Sequence, residues 1–361
     1  MLYLAIDQHR KQLTVNIRNE EGDVLEKRQV STEWERVRAF FGRLRDQAEP
    51  EDGFVAILEI CGFNDWLLEM LQEYGCLETV LIQPEKRSKK KTDRRDADAL
   101  GELLWVNRRR LLQGKSVHQV RRVLPPTPQE RQDRQLTASR KRLTQLRTRA
   151  INRVQHILMR HNLQQECPTK GIQTLKAKKW LSELELDSMD RLEMNQLLAQ
   201  WAMLDTQLDE VNVRIEERQN EDDVAGIVAS IPGMGAYSSL AVACRIGPID
   251  RFPRAKSLAN FWGLTPGCRN SGEVTDRLGS ITKQGSAMVR YILGQLVMRL
   301  LRHDAYMKQW YQRIKKRRGS KIARVAVMRR VAEIIWHMVK YKQAYVTGGP
   351  EAWEKVYGTA S

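Results

Sequence analysis

Residues 1–30 read MLYLAIDQHRKQLTVNIRNEEGDVLEKRQV, and this stretch decides how the first third of the chain folds. Leu2–Ile6 is an apolar run. Leu13, Val15 and Ile17 alternate with polar neighbours, and Val24–Val30 follows the turn formers Asn19-Glu-Glu-Gly-Asp23. Three short strands joined by tight turns predict an antiparallel meander. Outward from it, Ser31-Thr32-Glu-Trp-Glu has the capping chemistry of a helix start, and that helix is predicted to run to about Ala48. A short apolar strand over Phe54–Glu59, a helix over Asn64–Tyr74, a strand over Thr79–Ile82 and a helix from Thr92 through Leu104 follow. That order predicts a mixed sheet flanked by helices.

Beyond the break Pro125-Pro-Thr-Pro128 the pattern turns helical. From Glu130 to Leu163 one stripe carries Arg142, Arg149, Arg153 and Arg160, and a neighbouring stripe carries Leu143, Leu146, Ala150, Val154 and Ile157. Pro168 and Gly171 end the run. Leu197, Trp201, Leu204, Leu208, Val211 and Ile215 then recur at spacings of four and three, a short heptad seam. Such a seam fits two helices packed within one chain and equally an intermolecular coiled coil. Asn220-Glu-Asp-Asp223 is a polar break before a mainly helical last third. The fold class is therefore α/β plus α. A mixed-sheet domain is predicted over 1–125, a helical, coiled-coil region over 126–222 and a mainly helical domain over 223–361.

The 361 residues include 61 Lys+Arg against 44 Asp+Glu, a net charge of +17, which suits a phosphate backbone as partner through counterion release. No apolar stretch approaches the roughly 18 residues of a transmembrane helix, and no amphipathic anchor or lipidation signal points to a membrane. Five scattered cysteines with no CxxC pair, and six dispersed histidines, argue for a reduced, cytoplasmic protein without a zinc or imidazole-built site.

Against this basic background four acids stand out. Asp7 closes the first strand, Glu59 closes the fourth, and Asp93 and Asp96 lie three apart at a helix start, on one face. Strand ends and a helix start can converge on one edge of a sheet, and hard carboxylate oxygens suit Mg²⁺, with Mn²⁺ as the alternative. Metal ions so held are a common device for phosphodiester chemistry. The same acids also have an ordinary reading: Asp7 opens a turn, and Asp93 and Asp96 favour the positive end of a helix dipole. Asp98 competes with Asp96 at a different angle. Residues 86–95 carry seven basic side chains and one acid, with Lys89, Lys90, Lys91, Arg94 and Arg95 placed to hold a phosphate backbone.

Two glycine-rich segments follow in the last third. Ile231-Pro-Gly-Met-Gly235 resembles the turn of a helix-hairpin-helix, in which glycines such as Gly233 and Gly235 admit a phosphate to a helix start. Phe261-Trp-Gly-Leu-Thr-Pro-Gly-Cys-Arg-Asn-Ser271-Gly272 sets a hydroxyl among turn formers, with Arg269, Arg277 and Lys283 near in sequence to stabilise a phosphorane. Ser257, Ser280 and Ser286 offer the same chemistry, and any one serine here also reads as a surface turn residue. Trp310–Arg330 has nine basic residues and no acid, either a solvated helix face or a nucleic-acid surface.

Together Ala5-Ile-Asp7, Leu58-Glu59, Lys91-Thr-Asp93-Arg-Arg-Asp96-Ala97, Ile231-Pro-Gly-Met-Gly235, Phe261-Trp-Gly-Leu-Thr-Pro266, Asn270-Ser271-Gly272 and Ile281-Thr-Lys-Gln-Gly285 resemble the transposases of insertion-sequence family one-hundred-and-ten. These are bridge-RNA-guided recombinases related to Piv-type DNA invertases. The resemblance implies an N-terminal RuvC-like domain of the RNase H type, a coiled-coil middle and a C-terminal transposase domain. It implies an acidic tetrad of Asp7, Glu59, Asp93 and Asp96 holding divalent metal, and a nucleophilic Ser271 that forms a phosphoserine. Its implied partners are donor and target DNA, a structured noncoding bridge RNA as guide, and further copies of the chain in a homo-oligomer. On this reading the protein is a DNA recombinase. The alternatives are a metal-dependent, structure-specific nuclease in which water attacks, and a non-catalytic nucleic-acid-binding protein.

Overall fold

The computed structural model describes residues 1–83, 93–115, 117, 120–268 and 278–358, with the backbone alone for 93–96, 268 and 278. The chain forms two compact units, Met1–Pro125 and Pro126–Ser361.

In the first unit β1 (Leu2–Gln8), β2 (Gln12–Arg18) and β3 (Val24–Ser31) are followed by α1 (Trp34–Ala48), β4 (Phe54–Glu59), α2 (Asp65–Glu73), β5 (Cys76–Ile82) and α3 (Asp93–Leu112). The strands lie in the order β3-β2-β1-β4-β5. The tight turns after β1 and β2 permit only antiparallel neighbours, and the connections through α1 and α2 return the chain to add β4 and β5 in parallel. The mixed sheet and the meander are those expected from the sequence. β5 starts earlier than the apolar run indicates, because Cys76 pairs with Phe54 ahead of a register shift.

Both faces of the sheet are covered, which is why β1 and β4 read as nearly continuous apolar runs. Leu4, Ile6, Ala56 and Leu58 face Phe40 and Phe41 of α1 and Leu67 and Leu71 of α2. Tyr3, Ala5, Val55, Ile57 and Val80 face Leu100 and Leu104 of α3.

The second unit opens with α4 (Pro128–Arg160), begun by a capping box in which Thr127 and Glu130 satisfy each other's backbone N–H groups. After α5 (Leu175–Glu183) comes α6 (Ser188–Glu221). α4 and α6 run antiparallel and are joined by charged rungs. Arg160 pairs with Asp190 and Arg153 with Glu193, Arg147 meets Asp205 at 2.6 Å, and Asp133 meets Arg218 at 3.1 Å. The heptad seam faces inward here. Leu197, Trp201, Leu204, Leu208 and Ile215 are buried and Val211 is half-buried. Of the two readings of that seam, packing within one chain is the one seen in this structure.

The rest of the unit comprises α7 (Asp223–Ala229), α8 (Ala236–Ala243), α9 (Ala255–Phe261), the two-stranded β6 (Pro266–Cys268) and β7 (Leu278–Ile281), α10 (Ala287–His303), α11 (Ala305–Tyr341) and α12 (Pro350–Tyr357). Its core centres on Trp262, Val289, Leu293, Val327 and Ile335. α11 is kinked at Gly319, whose φ of +81° lies outside the helical region. Among the described residues no helix is long and apolar enough to cross a membrane.

Candidate functional site

Ile6 of β1 and Leu58 of β4 are register partners in a parallel pair. The next residues on the two strands are Asp7 and Glu59, so both carboxylates come to neighbouring strand ends. Alternation fixes their side of the sheet: Tyr3, Ala5, Val55 and Ile57 face α3, and Asp7 and Glu59 continue that series. The direction of α3 follows from its contacts. Arg108 lies over the ring of Tyr3, near the start of β1, while Asp98 accepts from Asn16, whose register partner on β1 is Ala5. The helix thus begins towards the Asp7 end, and its first turn carries Asp93 and Asp96.

The strand ends are tied by a side chain that the sequence pattern did not single out. Asn64 is buried, donates to Gln8 Oε1 at 2.8 Å and to the Glu59 carbonyl at 3.2 Å, and accepts from the Cys61 N–H. One amide so joins the residue after Asp7 to the backbone of Glu59 and holds together two strand ends that each carry a carboxylate. His9 meets Asp7 at 3.0 Å. Two residues apart on extended backbone, they point to one side, a signal available in the sequence but passed over.

Thr14 is the register partner of Asp7 on β2. Only 4% of it is exposed, and its hydroxyl has no hydrogen-bond partner among the described residues. It lines a cleft of about 400 Å³ together with Lys27, Gln29 and Asp98. Asp98, the rival of Asp96, has its two oxygens engaged by Asn16 and Lys27, each at 2.7 Å. Burial pushes its carboxyl up, but these hydrogen bonds and the nearby Arg18 outweigh that and hold it below the usual range. Its role is to fasten α3 to the sheet. Lys89, Lys90 and Lys91 lie outside the described residues, as do the side chains of Asp93, Arg94, Arg95 and Asp96.

In the second unit the two motifs that flank Ser271 interlock backbone to backbone. Thr282 N–H donates to the Thr265 carbonyl and Lys283 N–H to that of Gly263. A Cβ added at Gly285 would lie 2.0 Å from the Phe261 carbonyl oxygen, and one at Gly263 would lie 2.3 Å from that of Gln284. Only glycine permits this approach, and both positions have φ near +68°. Arg290 seals the stem by donating to the carbonyls of Trp262, Gln284 and Gly285. Arg269, Asn270, Ser271 and Arg277, carried between the two arms of this stem, lie outside the described residues.

Comparison with known proteins finds two transposase models along the chain. The family model described as "Transposase IS116/IS110/IS902 family" matches residues 225–312, and the DEDD transposase model of IS110 matches residues 4–163. The chain belongs to the IS110/IS116/IS902 transposase family. It is 29% identical over 311 residues to the transposase for insertion sequence element IS1111A of Coxiella burnetii, covering 81% of this chain and 79% of that one. A putative transposase of Sinorhizobium fredii, y4pF/y4sB, is 25% identical over 312 residues, covering 81% and 74%. A probable family 20 transposase of Pseudomonas aeruginosa is 27% identical over 160 residues, covering 43% and 45%.

The DEDD model of this transposase spans the sheet, α3 and the whole of α4. Along α4, Arg142, Arg149, Arg153 and Arg160 are all exposed, and the last two also pair with acids of α6. Gly233 and Gly235 precede α8, and Lys283 is exposed on the stem. A second histidine also meets acids: His161, Asp187 and Asp190 offer ligand atoms within 4.8 Å of one another. Each acid has structural work there. Asp187 caps α6 by accepting from the Asp190 N–H, and Asp190 takes Arg160 and His161. His161 foremost, and Arg160 after it, hold the Asp190 carboxyl below the usual range, with desolvation opposing them.

Proposed function

We propose that this transposase is an RNA-guided DNA recombinase that cuts and rejoins strands through a phosphoserine. The observation that carries the reading is the placement of Asp7 and Glu59 at adjacent parallel strand ends, on the face where α3 begins with Asp93 and Asp96. The order of the mixed sheet, with three antiparallel strands and two parallel additions, supports a RuvC-like assignment for residues 1–125. Residues 126–222 and 223–361 are proposed as the helical middle and the transposase domain.

The donor set fits a divalent ion. Asp7 and Glu59 supply hard oxygens, and the unpartnered hydroxyl of Thr14 stands beside Asp7 as an acceptor or donor for a hydrated ion. Asp7, Glu59, Asp93 and Asp96 would hold Mg²⁺ or Mn²⁺. When bound, the ion polarises a phosphoryl oxygen and offsets developing charge. The chain's own residues do the rest. Asn64 keeps the strand ends in register. Ser271 forms an Oγ–P bond as the bond from phosphorus to the leaving sugar oxygen breaks, and its proton leaves to solvent or a base. Attack by a hydroxyl of a new strand end reverses the step and frees the serine. Bond energy is conserved, in keeping with the absence of a GxxxxGK[ST] sequence. A bridge RNA would choose the sites, while the protein reads backbone shape and charge.

The deciding experiment incubates labelled DNA carrying the element's ends with wild type, Ser271→Ala and Asp93→Ala, then denatures. Wild type is expected to retain a covalent protein–DNA adduct, with both variants inactive. Cleavage by Ser271→Ala would replace this reading with a nuclease in which water attacks. Sequencing of co-purified RNA tests the guide, since random cellular RNA would remove that part of the proposal.

A further inference from the structure

The α4–α6 ladder has one rung that differs from the others. Arg147, Arg153 and Arg160 each face an acid of α6, and Arg218 faces Asp133. Arg140 faces an amide instead, donating from Nε to Asn212 Oδ1 at 3.0 Å. Its guanidinium lies 4.2 Å from the centroid of the Tyr237 ring, and this contact holds the group at the cleft. At this rung a cleft of about 510 Å³ opens, lined by Arg140, Tyr237, Ser238, Tyr291 and Arg299, with one carboxylate, Glu216. Neither Arg140 nor Arg299 meets a carboxylate within 4 Å among the described residues. Lys141 adds positive charge 5.4 Å from the Tyr291 ring. Gly233, at φ +93°, lets the turn before α8 lie against α10, since a Cβ there would come 2.7 Å from Cβ of Arg299. The glycine turn so brings the start of α8 beside that arginine.

We infer that this cleft binds a phosphodiester of a nucleic-acid backbone, held by the guanidiniums of Arg140 and Arg299. The inference rests on the reading of the chain as an enzyme acting on nucleic acid, and it names where one backbone phosphate sits. Two guanidiniums that meet no carboxylate within 4 Å among the described residues, one of them over an aromatic ring, suit bidentate contact to phosphate oxygens. The hydroxyl of Ser238 and the uncapped start of α8 supply further donors.

The test measures binding of the full chain to a labelled DNA duplex and to a labelled RNA hairpin, in EDTA, across a series of salt concentrations. Losing one phosphate contact lowers the slope of log affinity against log salt by about one. Arg299→Gln and Arg140→Gln are each expected to do so, on DNA, on RNA or on both, and the arm affected identifies the ligand. Glu216→Gln is expected to tighten binding. Lys176→Gln, an exposed lysine on α5, removes the same charge elsewhere and should leave the slope unchanged. The inference is overturned if both arginine variants keep the wild-type slope on both ligands, or if Lys176→Gln matches their loss. Arg299 is exposed, so its variant tests the cleft even if Arg140→Gln disturbs folding. Because the assay contains no metal, its failure leaves the proposed strand chemistry standing. Inactive tetrad variants would likewise leave the cleft standing.

Discussion

In the N-terminal unit the carboxylates of Asp7 and Glu59 stand side by side at the ends of parallel strands, whereas in the C-terminal unit most acids of the α4–α6 ladder stand opposite an arginine. The first arrangement concentrates like charge and is held together by other means, namely Asn64, Gln8 and the sheet itself. The second neutralises charge along some 33 residues of helix. Opposite charges in a ladder support a scaffold, while like charges gathered at one point favour a cation, and the metal site proposed at the strand ends follows from that difference.

The sharpest way to break the contrast is Asp7→Asn. If metal at the strand ends supplies several kcal/mol of transition-state stabilisation, strand exchange should fall by about a thousandfold while thermal stability stays the same or rises as repulsion is relieved. Unchanged turnover would remove the site. In the scaffold, Trp201→Ala is expected to cost about 3–5 kcal/mol of unfolding free energy, read from urea titration, because its side chain is 1% exposed in the α4–α6 core. Its oligomeric state by light scattering should match wild type. A dimer lost in parallel with no change in stability would return the seam to an intermolecular role.

Between these lies Asn64→Ala. It should lower Mn²⁺ affinity by about ten- to a hundredfold in calorimetric titration, with DNA binding in EDTA unchanged. A variant that binds metal as wild type does would reduce Asn64 to a packing residue. The smallest effect belongs to Asp190→Asn. The Asp190 carboxyl titrates below its unfolded value, so its stabilising contribution is present above about pH 4 and is lost as pH falls through the folded value. The melting-temperature difference between wild type and variant should therefore be largest near neutrality and shrink in acid. A difference that grew in acid would contradict the pairing with His161 and Arg160.

Much of the fold was legible because periodicity is local. The alternation of Leu13, Val15 and Ile17 and the turn at Asn19–Asp23 mark the meander, and the spacing of the Leu197–Ile215 seam marks a helix face. The partner of that face was not legible, since a seam looks the same whether α4 of the same chain or another copy covers it. The arginine stripe of α4 had the same limit. Arg142 and Arg149 remain exposed, and Arg153 turns to Glu193, forty residues away in sequence.

By itself the sequence determined which residues could carry chemistry, because acids at apolar strand ends and glycines in a basic chain are visible without neighbours. It also determined the family, through motifs recurring in order over most of the chain. The tertiary structure alone decided the register that sets Asp7 beside Glu59, the amide of Asn64 that ties them, and the one ladder rung where Arg140 meets Asn212 and no acid. The physical reason is separation: each of these pairs residues 5 to 72 positions apart, and only packing brings their atoms within hydrogen-bonding or register distance.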